Sequence, residues 1–84
     1  MNDRVVTLYG RAGCGLCEEA ATLLRGWRRE LRFTLDEVDI DRDAALLAAY
    51  DWIVPVVAVN GVEAGRAPID ARALRRRLAE LLGS

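Results

Sequence analysis

Val5-Val6-Thr7-Leu8-Tyr9, then the glycine-containing loop Arg11-Ala12-Gly13, then Cys14-Gly15-Leu16-Cys17: everything else in this chain is read outward from this segment. The first five residues are β-branched, aromatic and mostly apolar, as expected of a strand buried on both faces. From Leu16 onward, Leu16, Ala20, Leu23, Leu24 and Trp27 recur at helical spacing, with Arg25, Arg28 and Arg29 on other faces. Gly26 costs about 1 kcal/mol relative to alanine there and is read as a point where another element approaches closely. The chain's two cysteines therefore stand two residues apart at a strand-to-helix junction. In an intracellular chain, that pattern reads as a redox dithiol.

Composition narrows the field. Eighty-four residues make a single domain, expected to span 1–84. A chain this short buries only about two thirds of its unfolded surface, so the core must be tight. Net charge is −1 and acids and bases are interspersed, so no basic stripe calls for a nucleic-acid partner. No run of apolar residues is long enough to span a bilayer, and the N-terminal Met1-Asn2-Asp3-Arg4 leads into a strand without a signal peptide's apolar region. The expected location is the cytoplasm and the expected state a monomer. In that compartment thiols stay reduced, so a structural staple is a poor explanation for the cysteines. Closing so small a loop would contribute roughly 2 kcal/mol, against about 3 for fifteen residues. All twelve basic residues are arginine, and there is no histidine. Ser-His-Asp and Cys-His catalysis are thereby removed, and a zinc site would have to be completed by carboxylates; no metal is expected.

Further along, Leu31, Phe33 and Leu35 alternate as a strand should, but Val38 and Ile40 fall on the opposite parity. Either a bulge near Asp36-Glu37 or an earlier strand end explains the slip. Asp41 is the expected N-cap of a short helix through Leu46, Leu47, Ala49 and Tyr50, with Asp43 favourable near its positive end. Trp52, read as a core anchor, leads with Ile53 and Val54 to Pro55. Val56–Val59, Asn60-Gly61 and Val62-Glu63-Ala64 form a hairpin, because a type I′ turn needs positive φ at both central residues. Gly65–Ile69 is a loop. Asp70 caps a last helix with Leu74, Leu78 and Leu81 buried and Arg72, Arg75 and Arg76 facing water. The order is β-α-β-α-β-β-α.

With the helix starting near Gly15, Cys14 meets free N–H groups and the positive helix end, which favour a thiolate by up to about 2 kcal/mol. Arg11 is expected to assist and Glu18 to oppose. Cys17, one turn in, is the more covered. Cys14 is thus the expected nucleophile and Cys17 the resolving thiol.

From about Val5 to Leu82 the chain resembles the glutaredoxin-like branch of the thioredoxin superfamily, most closely its small bacterial members. The resemblance rests on Val6-Thr7-Leu8-Tyr9 leading into Gly13-Cys14-Gly15-Leu16-Cys17-Glu18-Glu19-Ala20, on Asp39-Ile40-Asp41-Arg42-Asp43, on Tyr50, and on Val54-Pro55-Val56 and Asn60-Gly61. It implies an α/β thioredoxin fold: a four-stranded mixed sheet flanked by helices. The strands would lie in the order second, first, third, fourth, with the third antiparallel to the first two. It implies a cis Val54–Pro55 bond beside Cys14, and a Val54 backbone that pairs with the bound substrate as a short extra strand. The implied activity is thiol–disulfide exchange on a protein or small-molecule disulfide without a bound cofactor. Glutathione as co-substrate, or a thioredoxin reductase, would be the electron donor. Glutathione-using members carry an aromatic pair before the first cysteine and Gly-Gly-x-Asp before the last helix. This chain has Ala12-Gly13 and Gly65-Arg66-Ala67-Pro68-Ile69-Asp70, so both donors stay open. An iron–sulfur carrier using Cys14 from two subunits, and a non-catalytic binding domain, are the alternative functions. Arg66 is read as a surface arginine without a task.

Overall fold

The apolar run Val5–Gly10 forms β1, a strand hydrogen-bonded on both sides. In the computed structural model, which describes residues 4–83, it is followed by α1 (Gly15–Leu31), β2 (Thr34–Asp39), a 3-10 turn (Ile40–Arg42) and α2 (Ala44–Tyr50). The hairpin β3 (Val56–Val59) and β4 (Val62–Arg66) leads to α3 (Ala71–Leu82). Residues 1–3, read from sequence as a lead into the first strand, and residue 84 lie outside the described part. The sheet order is β2-β1-β3-β4, with β2 parallel to β1 and β3 antiparallel to both neighbours. This is the α/β arrangement that the resemblance implies.

Successive side chains of a strand point to opposite faces, and here both faces are covered. Val6, Leu8, Val57 and Val59 face α1 and α3, where they join Ala20, Ala21, Leu24, Leu74 and Leu78 in the core. Tyr9 points the other way, and its ring meets that of Tyr50 at the end of α2, centroids 4.8 Å apart. All four residues of β3 are buried, as a strand covered on both faces requires.

The parity slip in β2 has the same origin. The strand runs in unbroken register from Thr34 opposite Val5 to Asp39 opposite Gly10, with no bulge. Leu35 faces the α1 side, whereas Val38 faces the α2 side. Leu31 belongs to no strand: it is the last residue of α1, which ends with Arg32 in the left-handed region at φ 59°. The Arg4 side chain donates to the carbonyls of Leu31 (2.6 Å), Arg32 (2.5 Å) and Leu82 (2.8 Å), a cation placed at the negative ends of two helices. The irregular feature sits instead in β4, where Val57 faces Gly65 and Ala58 faces Glu63, leaving Ala64 as the extra residue. The bulge lets the strand continue to Arg66 beyond the expected end at Ala64.

Several expected helix details change. Asp43, not Asp41, caps α2, accepting from the N–H groups of Ala45 and Leu46. The α1 stripe is Cys17, Ala20, Ala21 and Leu24, and Leu16 is exposed. In α3 the stripe is Leu74, Leu78 and Leu82, with Leu81 only partly buried. Arg75 does not simply face water: it lies over the Trp27 ring at 5.7 Å and pairs with Glu30 at 2.9 Å, joining α3 to α1. The turn Asn60-Gly61 has φ 50° and 87°, as the hairpin reading requires, and Asp70 caps α3 through the Ala73 N–H.

No element approaches Gly26, since a Cβ built there meets nothing within 4 Å. Gly26→Ala is therefore expected to raise unfolding stability by about 1 kcal/mol. Leu78→Ala, at a fully buried position, is expected to lower it by about 2–5 kcal/mol. Urea titration of both variants at constant m-value checks the pair.

Candidate active site

β1 delivers the chain to Gly10, and Gly13, at φ 74°, turns it toward α1. Cys14 then takes extended dihedrals, φ −100° and ψ 108°, at the N-cap position. Its Sγ accepts a hydrogen bond from the Cys17 N–H at 3.1 Å, so sulfur stands where a serine or aspartate oxygen usually caps a helix. Cys14 and Cys17 form a disulfide with Cα atoms 5.2 Å apart. Cys14 is half-buried, whereas Cys17 is 5 % exposed. On reduction, the donated N–H and the positive end of a seventeen-residue helix both favour a thiolate on Cys14.

Cys17 fits because residue 10 is glycine. A Cβ at Gly10 would lie 3.2 Å from the Cys17 Cβ and 3.3 Å from its Sγ. The sequence reading passed over this residue; a glycine closing an apolar strand just before the cysteine loop is the signal that marks it. Beside Cys17 opens a cavity of about 260 Å³, bordered by Gly10, Arg11, Glu18, Glu37 and Asp39. Glu37 is engaged there by Arg25, through Nε at 3.0 Å and Nη2 at 2.6 Å.

The Arg11 guanidinium is held by two carboxylates. Its Nε and Nη2 grip the Asp41 carboxylate at 3.2 and 2.5 Å, and its Nη1 meets Asp51 Oδ1 at 2.7 Å and the Asp51 carbonyl at 3.1 Å. Two carboxylates thus offset its charge and fix its direction. The hydrogen bonds to Asp41 and then Asp51 raise the Arg11 pKa, and the Arg11 guanidinium holds the Asp41 carboxyl below its usual range. Arg11 consequently ties the cysteine loop to the 3-10 turn and to the residue that follows α2. The same pairing explains why Asp41 is not a helix cap.

Val54–Pro55 is a cis peptide. Because Tyr9 faces Val56 in the antiparallel β1–β3 pair, Val54 and Pro55 lie at the end of the sheet where β1 runs into the cysteine loop. Pro55 is buried and its carbonyl accepts the Ala67 N–H at 2.9 Å. Trp52 is no core anchor: it is 93 % exposed. Tyr50, stacked on Tyr9, takes the place against the sheet, and the chain turns outward after it. Arg66, opposite Val56, is exposed as a surface arginine, its guanidinium pairing with Glu63 at 2.7 and 2.5 Å and holding the Glu63 carboxyl below its usual range. Among the described residues, no helix is long and apolar enough to cross a membrane.

Residues 5–80 match the family model of the Glutaredoxin-like domain (DUF836). The protein XcR50 from X. campestris is similar at 39 % identity over 89 % of this chain and 96 % of its own, with a TM-score of 0.73. Protein Ne2328 from Nitrosomonas europaea is similar at 33 % identity over 90 % of this chain and 92 % of its own, also with a TM-score of 0.73. A thioredoxin from Halobacterium salinarum shares the fold at 22 % identity, covering 96 % of this chain and 76 % of its own, with a TM-score of 0.72.

Gly10→Ala should cost about 1–3 kcal/mol and displace Cys17, because the added methyl meets backbone-anchored atoms of a packed helix. Denaturant titration measures the first effect, and the rate of Cys14–Cys17 disulfide formation the second. A carboxyl whose folded pKa is lowered contributes stability above its unfolded value and loses it as pH falls through the folded value. Arg11→Met removes that contribution from Asp41. The urea midpoint of the variant should therefore lie below wild type at pH 7, with the gap closing toward pH 3.

Proposed function

The chain belongs to the Glutaredoxin-like domain family, and on that premise we propose that it is a dithiol–disulfide oxidoreductase. The observation that carries this reading is the asymmetry of the pair: Cys14 half-buried at the α1 N-cap, and Cys17 buried in the first turn at 5 % exposure. A structural staple needs no such difference. Sequential chemistry at two sulfurs does.

In the proposed reaction the Cys14 thiolate attacks one sulfur of a substrate disulfide. A Cys14–substrate disulfide forms and the other substrate sulfur leaves as a thiolate, which takes up a proton. Cys17 then loses its proton, for which the cavity bordered by Glu18, Glu37 and Asp39 offers a polar route to solvent. Its thiolate attacks Cys14 Sγ, closing the Cys14–Cys17 disulfide and releasing the second substrate thiolate. The substrate disulfide gains two electrons and the protein dithiol loses two. The Val54 backbone, ahead of cis Pro55, is the proposed strand partner of the substrate segment, as in β-augmentation. Glutathione with its reductase, or a thioredoxin reductase, returns the two electrons. The proposed setting is the cytoplasm, where thiols are kept reduced, and the proposed acting form is a monomer.

Cys17→Ser should trap a Cys14–substrate disulfide, visible by intact mass and released by excess dithiothreitol. Cys14→Ser should give no adduct and at least about a hundredfold lower exchange rate, since only the thiolate of the accessible cysteine attacks. Failure of the Cys17→Ser protein to form an adduct while wild type turns over would reverse the assigned roles.

A further inference from the structure

Among the described residues, three large apolar side chains are markedly exposed: Trp52 at 93 %, Leu16 at 52 % and Val62 at 50 %. Val62 sits at the hairpin, beyond Asn60-Gly61, at the end of the sheet away from the cysteines. The other two belong to the end of the sheet that carries the cysteines. Leu16 lies between the cysteines. Trp52 follows Asp51, which Arg11 clamps to the cysteine loop at 2.7 Å, and precedes the Val54–Pro55 segment by one residue. An indole left in water at the cysteine end of the sheet needs an explanation that folding does not supply, because Tyr50 already packs against the sheet there.

Charge points to what covers it. Among the described residues, the arginines at this end of the sheet are each paired: Arg11 with Asp41 and Asp51, Arg66 with Glu63, and Arg42, just after β2, with Asp39 at 3.9 Å. In the segments 12–19 and 51–57, the only charged residues are Glu18, Glu19 and Asp51. A small thiol bearing carboxylates, such as glutathione, finds apolar surface and negative charge here, with those cations already paired to carboxylates of the chain itself. A polypeptide with apolar residues beside its cysteine finds a surface that matches it.

We propose that Trp52 and Leu16 form the docking surface for a polypeptide substrate whose disulfide is flanked by apolar, uncharged residues, and that this surface selects such substrates over glutathione disulfide. The proposal rests on the exchange reaction proposed above and adds the substrate class to it. Burying an exposed aromatic against an apolar partner is the usual source of a dominant binding contribution at a contact surface. Docking beside Val54 would also place the substrate backbone where it can pair as a strand.

The test uses the reduced full chain and three oxidants. These are glutathione disulfide, a disulfide-linked peptide dimer with leucine and alanine around its cysteine, and the same dimer with glutamate in place of leucine. Acid-quenched samples give the rate of Cys14–Cys17 formation by mass. The apolar dimer is expected to react on the order of tenfold faster than either anionic oxidant, a ratio typical of one such contact. Trp52→Ala should collapse that advantage to within about twofold, and the exposed-site control Val62→Ala should preserve it. Equal rates for all three oxidants, or an unchanged ratio in Trp52→Ala, would overturn the docking proposal while leaving the exchange reaction standing. No reaction with any of the three would overturn the exchange reaction, and the docking proposal with it. A concentration-dependent dimer in sedimentation, lost in Trp52→Ala, would assign the surface to a second copy of this chain and likewise overturn it.

Discussion

The contact between Gly10 at the end of β1 and Cys17 in the first turn of α1 is the constraint on which the site depends. At 3.2 Å from an added Cβ, it sets how closely the helix can descend on the strand. With Cys17 seated there, Cys14 falls at the N-cap, three residues and just under one turn earlier. One sulfur is thereby delivered to the positive helix end and the other to the interior. The difference in position and burial between two chemically identical side chains then needs no separate device. It follows from where the helix begins and how tightly it packs.

Around that contact the chain spends its charges on holding segments together. Arg4 closes the C-terminal ends of α1 and α3, Arg11 ties the cysteine loop to Asp41 and Asp51, and Arg25 joins α1 to β2 through Glu37. Exposed pairs like these each contribute little to stability. Their effect is positional: Arg11 in particular brings the loop carrying Cys14 and the segment carrying Trp52, Val54 and Pro55 to a common end of the sheet. Because its charge is committed, the surroundings of the disulfide are apolar and mildly acidic.

Much of this was legible from the sequence because the signals are local. The Cys-x-x-Cys spacing, the Asn60-Gly61 turn, the Asp70 cap and the apolar run of β1 each depend on residues within a few positions of one another. What escaped depends on partners far along the chain. Asp41 reads as a cap until Arg11, thirty residues away, takes its carboxylate. Leu31 and Phe33 read as strand because alternation over three residues cannot show that α1 runs on to Leu31, where Arg4 meets its end. The split of Leu35 and Val38 between two sheet faces becomes intelligible only once both faces are seen to be covered. Trp52 was misplaced for a similar reason: a tryptophan after a short helix is usually buried, but Tyr50 had already filled the position. The cysteines themselves were read with the right asymmetry of burial, and the need for glycine at position 10 was missed.

The central claim is that position on α1 alone makes Cys14 the reactive thiol and Cys17 the covered one. Timed alkylation of the reduced chain with iodoacetamide at pH 7, mapped by peptide mass, tests this directly. The account predicts modification of Cys14 at least about tenfold faster than Cys17, since thiolate character and access both favour it. Equal rates at the two cysteines, or faster modification of Cys17, would contradict it.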